Sequence, residues 1–152
     1  MSNERVQLLV AELGKELGLP GMKLDDEQVC LIGTDRGLDV VLNYVDDDDM
    51  LIVYCDLGPV PSGSEERLYP ELLKANFGWL QTRGTTLSVS GRRVILQTYV
   101  ACDGLELDPA LVLLENFFQR AAQLTDAIRD ELVDVQGDEP QDDNRVDPGM
   151  FV

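Results

Sequence analysis

Four consecutive carboxylates (Asp46-Asp47-Asp48-Asp49), three separated cysteines (Cys30, Cys55 and Cys102) and a complete lack of histidine set the chemistry open to this chain. Without imidazole there is no Ser-His-Asp or Cys-His arrangement, no histidine-held zinc and no imidazole acid-base catalysis. Three dispersed cysteines fall short of a four-cysteine metal site. Each lies in an apolar, strand-like run, where a thiol behaves as a small buried hydrophobe. An odd count without paired spacing also makes no disulfide framework. No GxxxxGKS/T or GxGxxG element is present, and Gly33-Thr34-Asp35-Arg36-Gly37 contains a turn with no phosphate-binding lysine after it. The Asp46 to Asp49 run offers oxygen ligands that suit calcium or magnesium, yet it lacks the alternating ligands, glycine and distant Glu of an EF-hand loop. A solvated hairpin tip, whose like charges discourage edge aggregation, is the expected reading. No catalytic residue, metal ligand or cofactor is expected, and paired-carboxylate hydrolysis has no two residues to single out.

Charge narrows the partners. Lys and Arg total 12 against 29 for Asp and Glu, a formal net charge of -17 over 152 residues. Such a surface repels phosphate backbones and anionic headgroups alike, so neither nucleic acid nor a membrane surface is an expected partner. Arg92-Arg93 is the only adjacent basic pair, and it reads as a solvated hairpin turn. The N-terminal MSNERVQLLV becomes amphipathic too soon for a signal peptide, and no segment approaches the ~20 apolar residues of a membrane span. A cytoplasmic protein is the expectation.

The elements that position these groups follow from the hydrophobic period. Val6, Leu9, Val10, Leu13 and Leu17 recur at helical spacing, and Gly18-Leu19-Pro20-Gly21 stops them. Residues 28–34, 38–45 and 50–57 are strand-length runs separated by short turns, which predicts an antiparallel meander. After the loop from Gly58 to Ser64, residues 65–68 form a separate turn with Ser64 as its N-cap, and a helix starts near Tyr69 with Pro70 in its first turn. Thr85 to Ser90 and Arg93 to Cys102 form a second strand pair around Ser90-Gly91-Arg92. Asp108-Pro109 then opens a long helix on the stripe Ala110, Leu113, Leu114, Phe117, Phe118, Ala121, Leu124, Ile128 and Leu132. Strands in blocks predict an α+β domain of order α-β-β-β-α-β-β-α, with a five-stranded, mainly antiparallel sheet and helices packed on one face. That domain takes residues 1–133, and the acidic sequence 134–152 is expected to be a disordered tail whose one apolar feature is Met150-Phe151-Val152.

Two places are more apolar than this scheme needs. The connection after Asn76 carries Phe77, Trp79 and Leu80 where polar turn residues are normal, so it is buried or meets a partner. Met50 to Leu57 is apolar on both faces, which leaves the sheet face away from the helices as a candidate binding surface, or as one covered by the loop after Gly58 or by a dimer partner.

The ordered set of elements resembles the CesT-like, or Tir-chaperone, family of class I type III secretion chaperones. Its carriers are the first helix ending in Leu17-Gly18-Leu19-Pro20, the acidic lead-in Leu24-Asp25-Asp26, Leu57-Gly58-Pro59-Val60-Pro61, the helix end Leu72-Leu73-Lys74-Ala75-Asn76, the strand pair after it, and Leu107-Asp108 before a long helix with Leu114, Phe117 and Ala121. The segment from Phe77 to Arg83 is bulkier than the connection that the family leads one to expect. The resemblance implies a bacterial cytoplasmic homodimer, with no cofactor, that binds the N-terminal segment of a secreted effector and presents it to the export apparatus, the secretion-system ATPase included. For effector binding, Val41, Val45, Ile52 and Tyr54 are the candidates, with Leu9 and Leu13 as groove walls. For the dimer they are Phe77, Trp79, Leu80, Leu87 and Val89. A regulatory or scaffold protein resembling the YbjN-like relatives, holding a folded partner on the same sheet, is the alternative.

Overall fold

A computed structural model describes residues 3–79 and 82–135, with side chains as far as residue 130. The chain runs α1 (Asn3–Glu16), β1 (Val29–Gly33), β2 (Asp39–Val45), β3 (Met50–Pro59), α2 (Glu65–Asn76), a short 3-10 turn (Phe77–Trp79), β4 (Thr86–Ser90), β5 (Arg93–Ala101) and α3 (Leu107–Val135). All strands pair antiparallel in one sheet of order β1-β2-β3-β5-β4. The α+β expectation therefore stands, and the hairpin after α2 enters with its second strand against β3 and its first at the edge.

Alternation sorts the sheet into two faces. Cys30, Ile32, Val40, Leu42, Tyr44, Leu51, Val53, Cys55, Leu57, Leu87, Val94 and Leu96 are buried on one side, under Val6, Leu9, Val10 and Leu13 of α1 and Ala110, Leu114, Phe117, Ala121 and Leu124 of α3. Burying a Leu or Phe of this kind is worth about 1.5–3 kcal/mol each, so this layer holds the helices to the sheet. Gly14 lets α1 close on the chain that follows it. A Cβ there would lie 2.6 Å from Met22 Cβ and 2.7 Å from the Leu19 carbonyl oxygen.

One helix start differs from the sequence reading. α2 begins at Glu65, so residues 65–68 are its first turn rather than a separate one, and Pro70 stands in the sixth position instead of the first turn. The apolar stripe explains this: Leu68, Leu72 and Ala75 are all buried at i, i+4, i+7 spacing, and Leu68 anchors the extra turn. Pro70 removes one helical donor, and its partner carbonyl, on Glu66, belongs to an exposed residue that water can reach. Ser64 holds the N-cap position without a side-chain bond; its carbonyl instead accepts the N–H groups of Arg67 and Leu68 at 3.2 and 2.9 Å. At the other end, α3 runs past the boundary expected after residue 133 to Val135. The rest of the expected tail, Met150-Phe151-Val152 included, lies outside the described residues.

Candidate functional site

On the face away from α1 and α3, every strand residue is at least partly exposed. Its register places Leu31, Val41, Tyr54, Gln97 and Thr86 opposite one another in a single row across all five strands. The next row is Val29, Asn43, Ile52 and Tyr99, and the next Val45, Met50 and Ala101. Val41, Val45, Ile52 and Tyr54 are thus brought together on neighbouring strands of one open face. Leu31 and Tyr99 join them, 64% and 69% exposed. The β1 run already carried Leu31 at alternating spacing. Tyr99 could be placed only once β5, and not β4, was known to lie against β3.

Leu9 and Leu13 require a correction. Their side chains are 6% and 0% exposed and pack on the opposite side of the sheet, so they are core and wall no groove on this chain. The helical period that singled them out marks the face turned to the sheet, and the sheet separates them from Val41 and Tyr54.

The row ends at an edge. Tyr44 N–H donates to the Gln28 carbonyl and Thr34 N–H to the Leu38 carbonyl, each at 2.9 Å, so the even-numbered residues of β1 bond to β2 and Val29, Leu31 and Gly33 turn their backbone groups outward. Asp25 occupies the first of these. Its N–H donates to the Val29 carbonyl at 2.9 Å, and its Oδ1 accepts the Val29 N–H at 3.0 Å and the Glu27 N–H at 2.8 Å. Among the described residues no strand pairs with the outer side of β1, and from Leu31 onward that edge is available.

The other edge is closed differently. Asn76, at the end of α2, accepts the Leu87 N–H at 2.8 Å and donates its own Nδ2 to the Leu87 carbonyl at 2.9 Å. Beyond that clasp, Phe77 and Trp79 are 49% and 60% exposed, with Leu73 at 71% nearby in sequence on α2. Of the two outcomes expected for the aromatic connector, burial within the chain does not occur at Phe77 or Trp79. Val89 is also exposed, whereas Leu87 is only 4% exposed and contributes core, not surface. Leu80 lies outside the described residues.

The acidic turn is a hairpin tip whose last residue is used structurally. Asp46, Asp47 and Asp48 are exposed, while Asp49 accepts the Tyr44 hydroxyl at 2.9 Å and its carbonyl accepts the Cys102 N–H at 2.9 Å. Among the described residues no group of three or more Cys, Asp or Glu is arranged to hold a metal ion. The three cysteines are buried. Burial, with Asp56 and Asp39 adding negative charge, pushes the Cys55 thiol up to about 11; burial and Asp49 do the same for Cys102, also to about 11. Such thiols stay protonated and are poor nucleophiles near neutral pH. The open sheet face, with its partly exposed apolar row and unpaired edge, is the feature left as a candidate site. No helix among the described residues is long and apolar enough to cross a membrane.

No curated protein matches the chain. Solved structures do. The ExsC-ExsE complex contains a chain that superposes with TM-score 0.72 at 20% identity, covering 84% of this chain and 97% of that one. The HopA1-SchA chaperone-effector complex gives 0.63 at 13% identity over 82% and 93%. The Yersinia pestis type III secretion chaperone SycH, solved with a fragment of YscM2, gives 0.60 at 15% identity over 78% and 98%. At these identities the likeness is one of fold. In sequence, the family model described as Tir chaperone protein (CesT) matches residues 8–125, from within α1 to within α3, and the chain belongs to that family.

Proposed function

We propose that this chain is a type III secretion chaperone that binds the N-terminal segment of a secreted effector, keeps it extended and soluble, and presents it to the export apparatus. The observation that carries this reading is the row Leu31, Val41, Tyr54, crossing the open sheet face and ending at an unpaired strand edge. An extended segment laid along β1 can bond to the outward backbone groups of Leu31 and Gly33 and add its alternate side chains to the open face, one of them continuing the row beyond Leu31. Main-chain bonds supply affinity without regard to sequence, and the apolar row selects clients with alternating hydrophobes. The chain itself catalyses nothing in this scheme. The net charge of -17 keeps a carrier with an apolar face apart from its copies elsewhere on the surface.

The working unit is a bacterial cytoplasmic homodimer joined around Phe77, Trp79 and Val89. Two aromatic side chains about half exposed on one short connector favour this seam, because each would bury on the order of 100 Å² or more against a partner. The resemblance adds the secretion-system ATPase as the receiver of the loaded complex.

Co-expression with the N-terminal segment of a large, amphipathic protein encoded by the neighbouring gene tests the reading. A soluble complex that co-purifies, and that Tyr54→Asp abolishes, is the expected result. A client that stays as insoluble with this chain as without it overturns the proposal.

A further inference from the structure

Asp25 narrows the β1 edge to a short site. Its backbone N–H and its Oδ1 take both outward groups of Val29, so an added strand pairs first at Leu31 and then at Gly33. Side chains opposite these two positions belong to the open face. Beside Leu31 the added residue extends the row of Leu31, Val41 and Tyr54, which calls for an apolar side chain. Beside Gly33 the surroundings are charged instead. Gly33 pairs with Asp39, and Asp39 and Asp56 both lie just beyond the Val40–Cys55 pair, at the same end of the open face.

The charges there are not equally committed. Asp56 is taken by the Arg93 guanidinium and the Gly58 N–H. Arg36, on the turn between β1 and β2, is held by both carboxylate oxygens of Asp126, at 2.7 and 2.8 Å. Asp39 is exposed, and its carboxylate makes no hydrogen bond or ion pair among the described residues. Gly33 supplies the space in front of it. A Cβ there would lie 3.9 Å from Asp39 Oδ1 and would meet nothing else within 4 Å among the described residues. The carboxylate thus borders a bare stretch of strand. A residue added opposite Gly33 stands two strand spacings from Asp39, ~9.6 Å, and a Lys or Arg stem can cross Gly33 to bring its charge to the carboxylate. An apolar side chain there would desolvate Asp39 without giving it a partner.

We propose that the β1 edge selects a client strand that sets an apolar side chain beside Leu31 and, two residues from it, a Lys or Arg over Gly33 against Asp39. This rests on the chaperone reading and names the sequence that its edge accepts. The purified client segment from the co-expression test is the probe, titrated by calorimetry. Asp39→Asn should weaken its binding ~3-fold and Asp39→Lys ~10-fold at low salt, and both losses should shrink as salt rises. Gly33→Lys gives Asp39 a cation from the chain itself and should weaken binding as Asp39→Lys does. When the Lys and Arg residues of the client are replaced by Glu one at a time, one replacement should weaken binding to the wild-type chain and be restored by Asp39→Lys. Urea midpoints report whether each variant has folded. A segment that binds the wild-type chain, is lost with Tyr54→Asp and is indifferent to Asp39→Lys overturns this proposal alone. So does a Glu series in which Asp39→Lys restores nothing. A segment that fails to bind the wild-type chain overturns the chaperone reading, and this proposal falls with it.

Discussion

Asn76 and Leu87 are joined as two strands would be: one carboxamide takes both outward backbone groups of the edge residue, at 2.8 and 2.9 Å. Gln7 repeats the device on Leu24, accepting its N–H at 3.1 Å and donating to its carbonyl at 3.0 Å. Each clasp satisfies backbone that the sheet leaves unpaired. Asn76→Ala should destabilise the fold by ~1–3 kcal/mol, read as a lower urea midpoint with unchanged slope. Asn76→Asp should not rescue it, since a carboxylate oxygen would then face the Leu87 carbonyl.

Gly14→Ala raises helix propensity and should nevertheless weaken the protein. The added methyl meets Met22 Cβ and the Leu19 carbonyl inside contact distance, and a backbone atom cannot swing aside. A loss of ~1–3 kcal/mol is expected in thermal or urea unfolding; a gain would show that the turn after α1 shifts freely.

The two sheet faces should respond to mutation in opposite ways. Leu42→Ala, in the core, should cost ~2–5 kcal/mol of stability. Leu31→Pro, on the outer edge where proline is tolerated, should leave stability nearly unchanged while removing the N–H that strand addition needs. Pull-down of the co-expressed client by Leu31→Pro at the wild-type level would count against edge pairing.

Trp79→Asp should shift the purified protein toward monomer in light scattering. Because Trp79 is 60% exposed on the single chain, the same variant should unfold within ~0.5 kcal/mol of wild type once both are monomeric. An unchanged mass removes Trp79 from the seam.

Alkaline pH should destabilise the fold through Cys55 and Cys102. Their folded values, about 11, stand above the ordinary 9.0, so the unfolded chain loses these protons first as pH rises. The contribution is fully present below the unfolded value and is lost as pH climbs through the folded one. The double variant Cys55→Ala with Cys102→Ala should therefore show a flatter fall in Tm across that window than wild type. Equal slopes would place the alkaline loss on other groups.

Much of this was legible in the chain. Changes of hydrophobic period marked the three helices and five strands found among the described residues, because a buried stripe or a buried face imposes its spacing on local sequence. The missing histidine and the scattered cysteines closed off whole classes of chemistry by residue type alone. That Val41, Val45, Ile52 and Tyr54 share one face was readable because β2 and β3 are joined by a short turn, which ties their faces together in sequence. Tyr99 was not, since its place beside Ile52 depends on a long-range pairing that no local pattern carries. Leu9 and Leu13 were misassigned for a related reason: periodicity shows that a helix has an apolar side without showing which side of the sheet receives it. The sequence by itself determined the elements, their order and the absence of imidazole chemistry, because these depend on residue type and near-neighbour spacing. Only the tertiary structure decided which edge stays open and which aromatics remain in solvent, because those depend on contacts between residues far apart along the chain.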